Sequence, residues 1–495
     1  MQIIADLQLH SRFSRAVSQQ MTIPNIAWWA GRKGIGLVAT GDWTHPLWFR
    51  EIQANLEETG KGLLKLKEKL EVRSEKLDEE VRNWKLDKTH PTSPHFLLAT
   101  EVSCIYSQGG KVRRIHTLVW VPTIVAADKI NKEMTRQGCN LMSDGRPIIG
   151  LTSIQLAELV LSIEPKALII PAHAWTPWFS LYGSMSGFDS IKEAFGPFAK
   201  NIYAIETGLS SDPAMNWRVK DLDNRSIISF SDAHSGPKLG REATVFELPE
   251  LSYENIYKAI SQNTQNTQKV RMSENQNIRK SDISESPTHR HSEFSESSEP
   301  HIAYTLEFYP EEGKYHYTGH RLCNIRQSPD ETKKKGTTCP VCGKPLTVGV
   351  MHRVEDLASR NVQDLKLAKV KIEGTLVEGT RSVTFPHRPP YVMLVPLQEI
   401  IAEAVGSPVT SPKVQGPYQQ LTDTFNGEFH VLLKTPISEI TKLMGGKIAQ
   451  GIDKVRSGDI VIEPGFDGVF GVVKIWKEGE EKPLLDSSKE QLSIF

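Results

Sequence analysis

The sequence of 495 residues is short of three things: net charge, cysteine and long apolar stretches. Lys and Arg together number 59, as do Asp and Glu, so the formal net charge is zero. Nucleic-acid-binding domains often carry an excess of basic residues, so any phosphate-binding surface has to be a local basic patch. No apolar run approaches the roughly 20 residues of a membrane-spanning helix, and the N-terminal MQIIADLQLH is typical of a buried strand instead of a signal peptide. We therefore expect a cytoplasmic protein without membrane contact.

The five cysteines do not have the pattern of a disulfide framework. Their number is odd, and three of them lie between positions 323 and 342. Disulfides are rare in reducing compartments, where clustered cysteines more often bind metal. The cysteine pattern therefore favours a reduced cytosolic protein with a metal site.

The first 250 residues repeat one pattern, in which a short apolar run ends in a polar residue and a helical stretch follows. Such runs are typical of parallel strands that are covered on both faces. Seven of them in series predict a β/α barrel, with an open α/β sheet as the alternative. The runs are QIIAD at 2–6, GLVAT at 36–40, FLLATE at 96–101, IHTLVWV at 115–121, ALIIPAH at 167–173, IYAIE at 202–206 and SIISFSD at 226–232.

Composition divides the chain into four parts. Residues 1–255 are the predicted barrel, with a helical insertion at 51–90 where Leu, Val and Trp recur at helical spacing among Lys and Glu. Residues 256–302 are rich in Ser, Asn, Gln and Glu, which predicts a disordered linker. Residues 303–352 hold the cysteine cluster. The rest, up to residue 485, mixes helical and strand-like patterns and is predicted to be a small α+β C-terminal domain.

Polar residues that end or closely follow the apolar runs are candidate metal ligands. The C-terminal ends of barrel strands converge on one mouth, where active sites lie. A single polar residue at such a position is more often a structural residue held by hydrogen bonds. That explanation does not account for a series of them at corresponding positions of successive apolar runs. Imidazole with carboxylate ligands suits Zn or Mn better than Mg alone. A bridging carboxylate can hold two metal ions about 3.5–4 Å apart for phosphoryl transfer. The candidates are Gln8, His10, Asp42, Glu101, His116, His173, Asp232 and His234.

The order of DL-x-x-H near the N-terminus, a later carboxylate, HTLV, PAH and SDAH resembles the polymerase-and-histidinol-phosphatase (PHP) family of metal-dependent phosphoesterases. This resemblance implies a distorted seven-stranded β/α barrel with two or three divalent ions (Zn, Mn or Mg). It implies that Glu101 bridges two ions. The first ion would be held by Glu101, His10 and Asp232. The second ion would be held by His116 and His173 as well. The catalytic residues implied are Glu101, His116, His173 and Asp232.

The resemblance also implies a third ion, held by Asp42 and His234. Two positions depart from the family, which usually has His where this chain has Gln8 and Asp42. A Gln amide oxygen is a neutral, weak ligand, and an Asp shifts a site toward oxygen donors. Both departures leave the identity of the metal open.

The cysteine cluster has the spacing of a zinc ribbon. His320 and Cys323 are followed after fifteen residues by Cys339 and Cys342, within the turn sequence CPVCGKP. Two ligand pairs at this spacing form closed, four-coordinate structural Zn sites. His316 is an alternative to His320 as the fourth ligand.

Loops that carry the candidate ligands are also rich in Arg and aromatic residues. Bases stack on aromatic faces and Arg holds phosphate, so this mixture suits an enzyme that grips an extruded nucleotide. Packing within the loops is the alternative explanation for each aromatic taken alone. The predicted substrate-binding residues are Arg12, Phe13, Arg15, Trp43, Trp175 and Trp178.

Longer stretches, among them HSRFSRAVSQQM, PAHAWTPWFSLYGS and SFSDAHSGPKLGREAT, resemble the endonuclease Q family, whose members are often labelled helicase-associated PHP proteins. This similarity runs over most of 1–250 and resumes at 303–480. It implies a DNA repair endonuclease that hydrolyses the phosphodiester 5′ to a deaminated base (uracil, hypoxanthine or xanthine) or an abasic site through a metal-bound hydroxide. The products would have a 3′-hydroxyl and a 5′-phosphate. The C-terminal domain would recognise DNA, and a sliding clamp or a helicase is a candidate partner.

Two other functions fit parts of the sequence. A PHP-type phosphatase could act on a small phosphate monoester, although such a substrate requires neither a zinc module nor a long C-terminal domain. A non-catalytic module could dock onto DNA or a helicase if Gln8 and Asp42 have degraded the metal cluster. The number of bound metal ions distinguishes this docking module from the two enzymes.

Overall fold

The computed structural model describes residues 1–67, 93–262, 299–477 and 479, and all seven predicted apolar runs are strands in it. The strands are β1 (Gln2–Asp6), β2 (Leu37–Ala39), β3 (Leu56–Glu58), β4 (Leu64–Leu66), β5 (His95–Gln108), β6 (Lys111–Val121), β7 (Ile148–Ile149), β8 (Leu168–Pro171), β9 (Ala204–Glu206), β10 (Ser226–Ile228), β11 (Ala243–Glu247), β12 (His301–Glu307), β13 (Thr318–His320), β14 (Ile325–Gln327), β15 (Leu367–Lys371), β16 (Glu378–Ser382), β17 (Tyr391–Met393), β18 (Val461–Glu463) and β19 (Val472–Lys474).

Helices cover the faces and the C-terminal part. They are α1 (Ile23–Lys33), α2 (Pro46–Asn55), α3 (Ile124–Arg136), α4 (Ser153–Ile163), α5 (Ile191–Phe195), α6 (Pro213–Trp217), α7 (253–262), α8 (Pro329–Lys335), α9 (Val350–Leu357), α10 (Leu397–Val405), α11 (Pro412–Thr424), α12 (Glu428–Leu433), α13 (Ile437–Met444) and α14 (Gly446–Ser457). Local signals set their ends. Helix α4, for example, begins with a capping box between Thr152 and Gln155, and α1 ends at Gly34, whose φ is 83°. Among the described helices, none is both long and apolar enough to cross a membrane.

The central sheet is mixed instead of parallel throughout. Strand β1 runs parallel to β2, and β2 parallel to β5, as expected. Strand β6 is antiparallel to both β5 and β8, because Gly109 and Gly110 close a tight hairpin where the pattern predicted a helical crossover. Strands β9 and β10 form a separate parallel pair. The mixed α/β class is confirmed, and closure of seven strands into a barrel stays a prediction.

Strands of the C-terminal part join the central sheet, beside two small sheets of their own formed by β13 with β14 and β18 with β19. Strand β12 pairs antiparallel with β11 and parallel with β17, so the C-terminal strands extend the sheet that contains β1. The hydrophobic core is likewise continuous between the two parts. Strand pairing and core packing therefore join the predicted barrel to the C-terminal region.

Two predicted segment boundaries are wrong in the residues that the structure describes. The predicted linker, 256–302, overlaps helix α7 at one end and strand β12 at the other, while 263–298 lie outside the described residues. The predicted helical insertion, 51–90, is helical only as far as Asn55. It continues as the antiparallel hairpin β3–β4, in which Leu56 and Leu66 are buried, and 68–92 lie outside the described residues.

Candidate metal centre

Three predicted metal ligands, which follow strands β2, β8 and β10, have an uncommon backbone conformation. Asp42, His173 and Asp232 follow these strands and have positive φ angles of 45°, 30° and 48°. Residues other than glycine rarely adopt this left-handed conformation, and strain of this kind clusters at functional sites. These turns direct side chains from separate strands into one buried cluster.

Glu101, His116 and His173 form the first group of donor atoms, all within 4.8 Å of one another. Glu101 lies on β5 and His116 on the neighbouring β6. Glu101 Oε1 is 2.5 Å from His116 Nδ1 and 3.4 Å from His173 Nε2. The two imidazole nitrogens are 3.2 Å apart. One carboxylate oxygen and two ring nitrogens therefore face a common point.

His10, Asp232 and His234 form the second group, also within 4.8 Å. His10 Nε2 is 3.1 Å from Asp232 Oδ1 and 3.2 Å from Glu101 Oε2. His234 Nδ1 is 2.8 Å from the Asp232 carbonyl oxygen, which leaves its Nε2 for other partners. Glu101 thus directs Oε1 to the first group and Oε2 to the second.

The donor atoms fit divalent metal ions. Gln8 Oε1 is buried without a hydrogen-bond partner, although buried polar atoms are normally paired. Imidazole and carboxylate donors in adjacent groups joined by one carboxylate suit ions such as Zn or Mn. Six of the eight predicted ligands lie in these two groups.

Gln8 and Asp42 lie outside both groups. Gln8 Nε2 donates to Glu101 Oε2 at 2.9 Å, so the side chain contacts a ligand of the centre. Asp42 accepts from His10 Nδ1 at 3.0 Å and contacts none of the other five grouped residues by a hydrogen bond in the described chain. His234, the predicted partner of Asp42 in a third site, is grouped with His10 and Asp232 instead.

The centre stabilises positive charge. Burial opposes ionisation of Glu101, but Arg146 and His116 hold the pKa of this carboxylate well below its usual range. Burial also opposes protonation of His10, yet the carboxylates of Asp42 and Asp232 hold its pKa well above the usual value. The site therefore stabilises ionised carboxylates and positive charge, and a divalent ion would take the place of the proton on His10.

Arg146 is a site residue that the sequence analysis missed. It lies between α3 and β7, in the sequence DGRP, and its Nη1 is 3.3 Å from Glu101 Oε1. About a quarter of the side chain is exposed. The sequence offers one weak signal for it, an Arg after Asp-Gly in a loop between two elements, which is too common to single out a site.

Trp43 and Trp175 do not lie on a substrate-facing surface, contrary to the prediction. Both are fully buried. Trp175 donates from Nε1 to Asn216 Oδ1 at 2.7 Å and stacks on Tyr182 at 4.8 Å between ring centroids. Their bulk fills the loops beneath the centre, so packing explains them in this conformation.

The other predicted substrate residues are at least partly exposed. The Arg15 side chain is 76% exposed and lies 3.3 Å from Asp144. Arg12 pairs with Glu51, and Phe13 stacks on His45 at 4.5 Å. Trp178 is half-buried and packs edge-on against Tyr315 at 5.4 Å. Trp178 therefore lies where the predicted barrel meets residues 303–352, the cysteine module.

The cysteine module holds a third donor group. His320, Cys323, Cys339 and Cys342 place their ligand atoms within 4.8 Å of one another, whereas His316 is buried outside this group. Burial opposes ionisation of Cys339, but the backbone amides of Cys342 and Val341 lower the pKa of its thiol to about 6. Four closed ligands with a thiolate fit a structural Zn ion.

Comparison with known proteins agrees with this geometry. A family model described as the MJ0043 C-terminal domain matches residues 396–459. The crystal structure of the lesion-specific endonuclease PfuEndoQ from Pyrococcus furiosus matches with a TM-score of 0.71 and 28% sequence identity, over 96% of this chain and 95% of that one. A crystal structure of endonuclease Q in complex with a 27-mer duplex substrate that has an abasic lesion at the active site matches with a TM-score of 0.70 and 28% identity, over 97% and 98% of the two chains.

A further relative is the protein MJ0043 of Methanocaldococcus jannaschii, which is 29% identical over 308 residues, or 61% of this chain. The match spans 31% of the M. jannaschii protein's length, so that relative is much longer than the shared part. The two endonuclease Q structures, by contrast, match along nearly their whole length. In fold and in sequence, the chain resembles the PHP-domain endonuclease Q proteins.

Proposed function

We propose that this chain is a metal-dependent endonuclease of DNA repair. The observation that carries the proposal is the position of Glu101, whose two carboxylate oxygens face two adjacent groups of imidazole and carboxylate donors. The similarity to endonuclease Q over nearly the whole chain makes a DNA phosphodiester the substrate class to expect.

The residues of the centre have separate tasks in phosphodiester hydrolysis. His116 and His173 would hold one divalent ion with Glu101, and His10, Asp232 and His234 would hold the other. Ions bound there would lower the pKa of a coordinated water and polarise the phosphodiester. His10, Glu101, His116 and His173 are buried, so they are held in place before substrate binds, whereas Asp232 and His234 are partly exposed on the side from which substrate could approach.

We further propose that the scissile bond lies 5′ to a deaminated base or an abasic site. The abasic duplex bound by endonuclease Q supports this class of lesion. Extruding a nucleotide costs least where pairing is already damaged. Phe13 and Trp178 are the predicted aromatics that remain partly exposed near the centre, so they are the candidates for stacking on an extruded base. Recruitment by a sliding clamp or a helicase stays a prediction.

Cleavage of defined duplexes tests the proposal. Labelled duplexes with one uracil, hypoxanthine, xanthine or abasic site are incubated with the protein and Zn, Mn or Mg. We expect a nick on the 5′ side of the lesion with a 3′-hydroxyl that a polymerase extends. Asp232→Asn should abolish the nick, whereas Glu133→Gln, on the partly exposed surface of α3, should leave it unchanged.

Two results would contradict the proposal. Hydrolysis of a phosphate monoester without a nick in any duplex would indicate a small-molecule phosphatase. Duplex binding without cleavage by protein that retains fewer than two ions beyond the zinc module would indicate a docking module.

A further inference from the structure

We propose that Asp42 is a positioning residue that orients His10, and that it is not a ligand of a third metal ion. The inference rests on the proposed function, because it concerns the metal centre of the same site. It assigns a different task to a residue that occupies the position of a histidine ligand in the PHP family.

The hydrogen bonds of Asp42 leave little of its carboxylate for a metal ion. Oδ2 accepts from the Ser11 amide at 2.6 Å, the Ser11 hydroxyl at 2.7 Å and the Ser14 hydroxyl at 2.8 Å. Oδ1 is 3.0 Å from His10 Nδ1. A carboxylate has about four lone-pair positions, two on each oxygen. Three donors crowd Oδ2, and the one position without a donor is on Oδ1, beside His10. Asp42 is fully buried.

This arrangement fixes the tautomer of His10. The proton on Nδ1 points to Asp42, so the lone pair that a metal ion would meet is that of Nε2, the atom that faces Asp232 Oδ1 and Glu101 Oε2. Metal-binding histidines commonly donate their other ring nitrogen to a carboxylate, which sets the ring orientation and raises the basicity of the ligand. Asp42 has this relationship to His10.

The surrounding backbone is shaped to hold Asp42 in place. The residue follows Gly41 in the left-handed turn after β2, where a Cβ on Gly41 would lie 2.6 Å from the Leu9 carbonyl oxygen. On the other side, a Cβ on Gly145 would collide with Asp42 Oδ2 and with Ser14 Oγ. The two glycines therefore let the chain close around the carboxylate.

His234 supplies an independent argument. A third ion held by Asp42 would need His234 to turn toward it, yet His234 lies with His10 and Asp232, 5.0 Å from the His10 ring between centroids. Its Nδ1 is already engaged by the Asp232 carbonyl oxygen. The other ring nitrogen of His234, Nε2, is therefore the one available to the group that contains His10 and Asp232.

Metal binding without DNA tests the inference separately from the proposed function. Apo protein is titrated with Co²⁺, whose absorption bands report ligand geometry, and bound ions are counted by mass spectrometry after gel filtration. We expect Asp42→Asn to bind as many ions as the unsubstituted protein, with the affinity of one ion reduced about 10–100-fold. Asp42→Ala should reduce that affinity more, because the Asn amide oxygen can still accept from His10 Nδ1.

Two further variants, Ser14→Ala and His10→Gln, serve as controls with a smaller and a larger expected effect. Ser14→Ala removes one of three donors to Oδ2 and should weaken the same ion by less than Asp42→Asn does, with the same Co²⁺ bands shifted. His10→Gln, which removes a ligand, should lower the count of bound ions. Loss of one ion in Asp42→Asn with unchanged affinity for the others would overturn the inference and make Asp42 a ligand. Unchanged affinity and count in Asp42→Ala would overturn it too. A failure of the protein to nick DNA would leave these measurements unaffected.

Discussion

Lys33 Nζ donates a hydrogen bond to Glu428 Oε2 at 2.7 Å, and both side chains lie almost wholly out of solvent. Glu428 also accepts from the Tyr418 hydroxyl at 2.9 Å and from the Leu397 amide at 3.0 Å. The pair joins α1 of the catalytic part to the C-terminal helices, which include the segment matched by the MJ0043 C-terminal domain. One buried ion pair therefore links the two parts of the chain.

Breaking this pair from either side should destabilise the protein. Lys33→Met leaves the Glu428 carboxylate without its cation, and Glu428→Gln leaves a buried ammonium without its anion. We expect each variant to lose about 3–5 kcal/mol of unfolding free energy, because an uncompensated buried charge is costly. Chemical denaturation followed by circular dichroism measures the loss.

The double variant Lys33→Met/Glu428→Gln is the informative control. Its loss should be clearly smaller than the sum of the two single losses, since neither charge is then left alone. Removal of the exposed pair formed by Lys132 and Asp128 on α3 should change the unfolding free energy by less than about 0.5 kcal/mol. Additive losses in the double variant would contradict coupling between Lys33 and Glu428.

The sequence predicted the strands well and the boundaries between parts less well. Seven apolar runs are visible because a strand covered on both faces must be apolar along its length. The hairpin after Gln108 was missed because Gly109 and Gly110 join two runs that each resemble a strand before a crossover. The continuation of the sheet into β12 was missed because pairing between strands far apart in the chain leaves no local pattern.

In the metal centre, too, the sequence predicts some residues and not others. Glu101, His116 and His173 could be singled out as candidates because histidine and carboxylate within or at the ends of successive apolar runs form a series. The placement of Asp42 could not, since a ligand and a residue that orients a ligand are the same kind of residue at the same spacing. Burial of Trp43 was likewise invisible, because an aromatic in a loop has the same sequence signature whether it faces solvent or the core.

Glu242 and Glu307 should make the protein less stable as pH rises. The register of β11 and β12 pairs Ala243 with Leu306, which places these two buried glutamates opposite each other. Burial, and then its charged neighbours, raise the pKa of Glu307 to about 8, and burial with Glu307 nearby raises the pKa of Glu242 well above its usual range. In the unfolded chain both ionise near pH 4.3. Between that pH and about 8 the folded state keeps protons that the unfolded state releases, so unfolding free energy falls.

The variant Glu307→Gln tests this sign. Its amide oxygen can still accept from Ser229 Oγ, which donates to Glu307 Oε1 at 2.5 Å. The unfolding free energy of the unsubstituted protein should decrease between pH 5.5 and 8. In the variant we expect this decrease to be less steep by up to about 1.4 kcal/mol per pH unit. The variant should be the more stable protein at pH 8. An unchanged slope would show that Glu307 ionises normally in the folded state.

Trp178 and Trp43 should respond to substitution in opposite ways. Trp43 is fully buried, so Trp43→Ala should cost about 3–5 kcal/mol of unfolding free energy through the cavity it leaves. Trp178 is half-buried and packs on Tyr315, so Trp178→Ala should fold nearly normally. If it stacks on a base, the variant should bind a lesion duplex about 1–3 kcal/mol more weakly. Fluorescence anisotropy with lesion and undamaged duplexes measures the difference, and equal weakening for both duplexes would indicate general contact instead of base stacking.

Arg146 should oppose metal binding while it assists cleavage. Its Nη1 is 3.3 Å from Glu101 Oε1, so its charge lies beside the carboxylate that joins the two donor groups. A cation at this distance repels divalent ions, and its partial exposure leaves guanidinium donors free to hold a phosphate oxygen of the substrate. Arg146→Gln should therefore bind Co²⁺ at least as tightly as the unsubstituted protein and yet cleave a lesion duplex at least about tenfold more slowly at saturating metal. Metal titration and single-turnover cleavage on the same preparation give both values. A variant that loses metal affinity and rate together would show that Arg146 only supports the geometry of Glu101, and rescue of the rate by Arg146→Lys would show that positive charge at this position is sufficient.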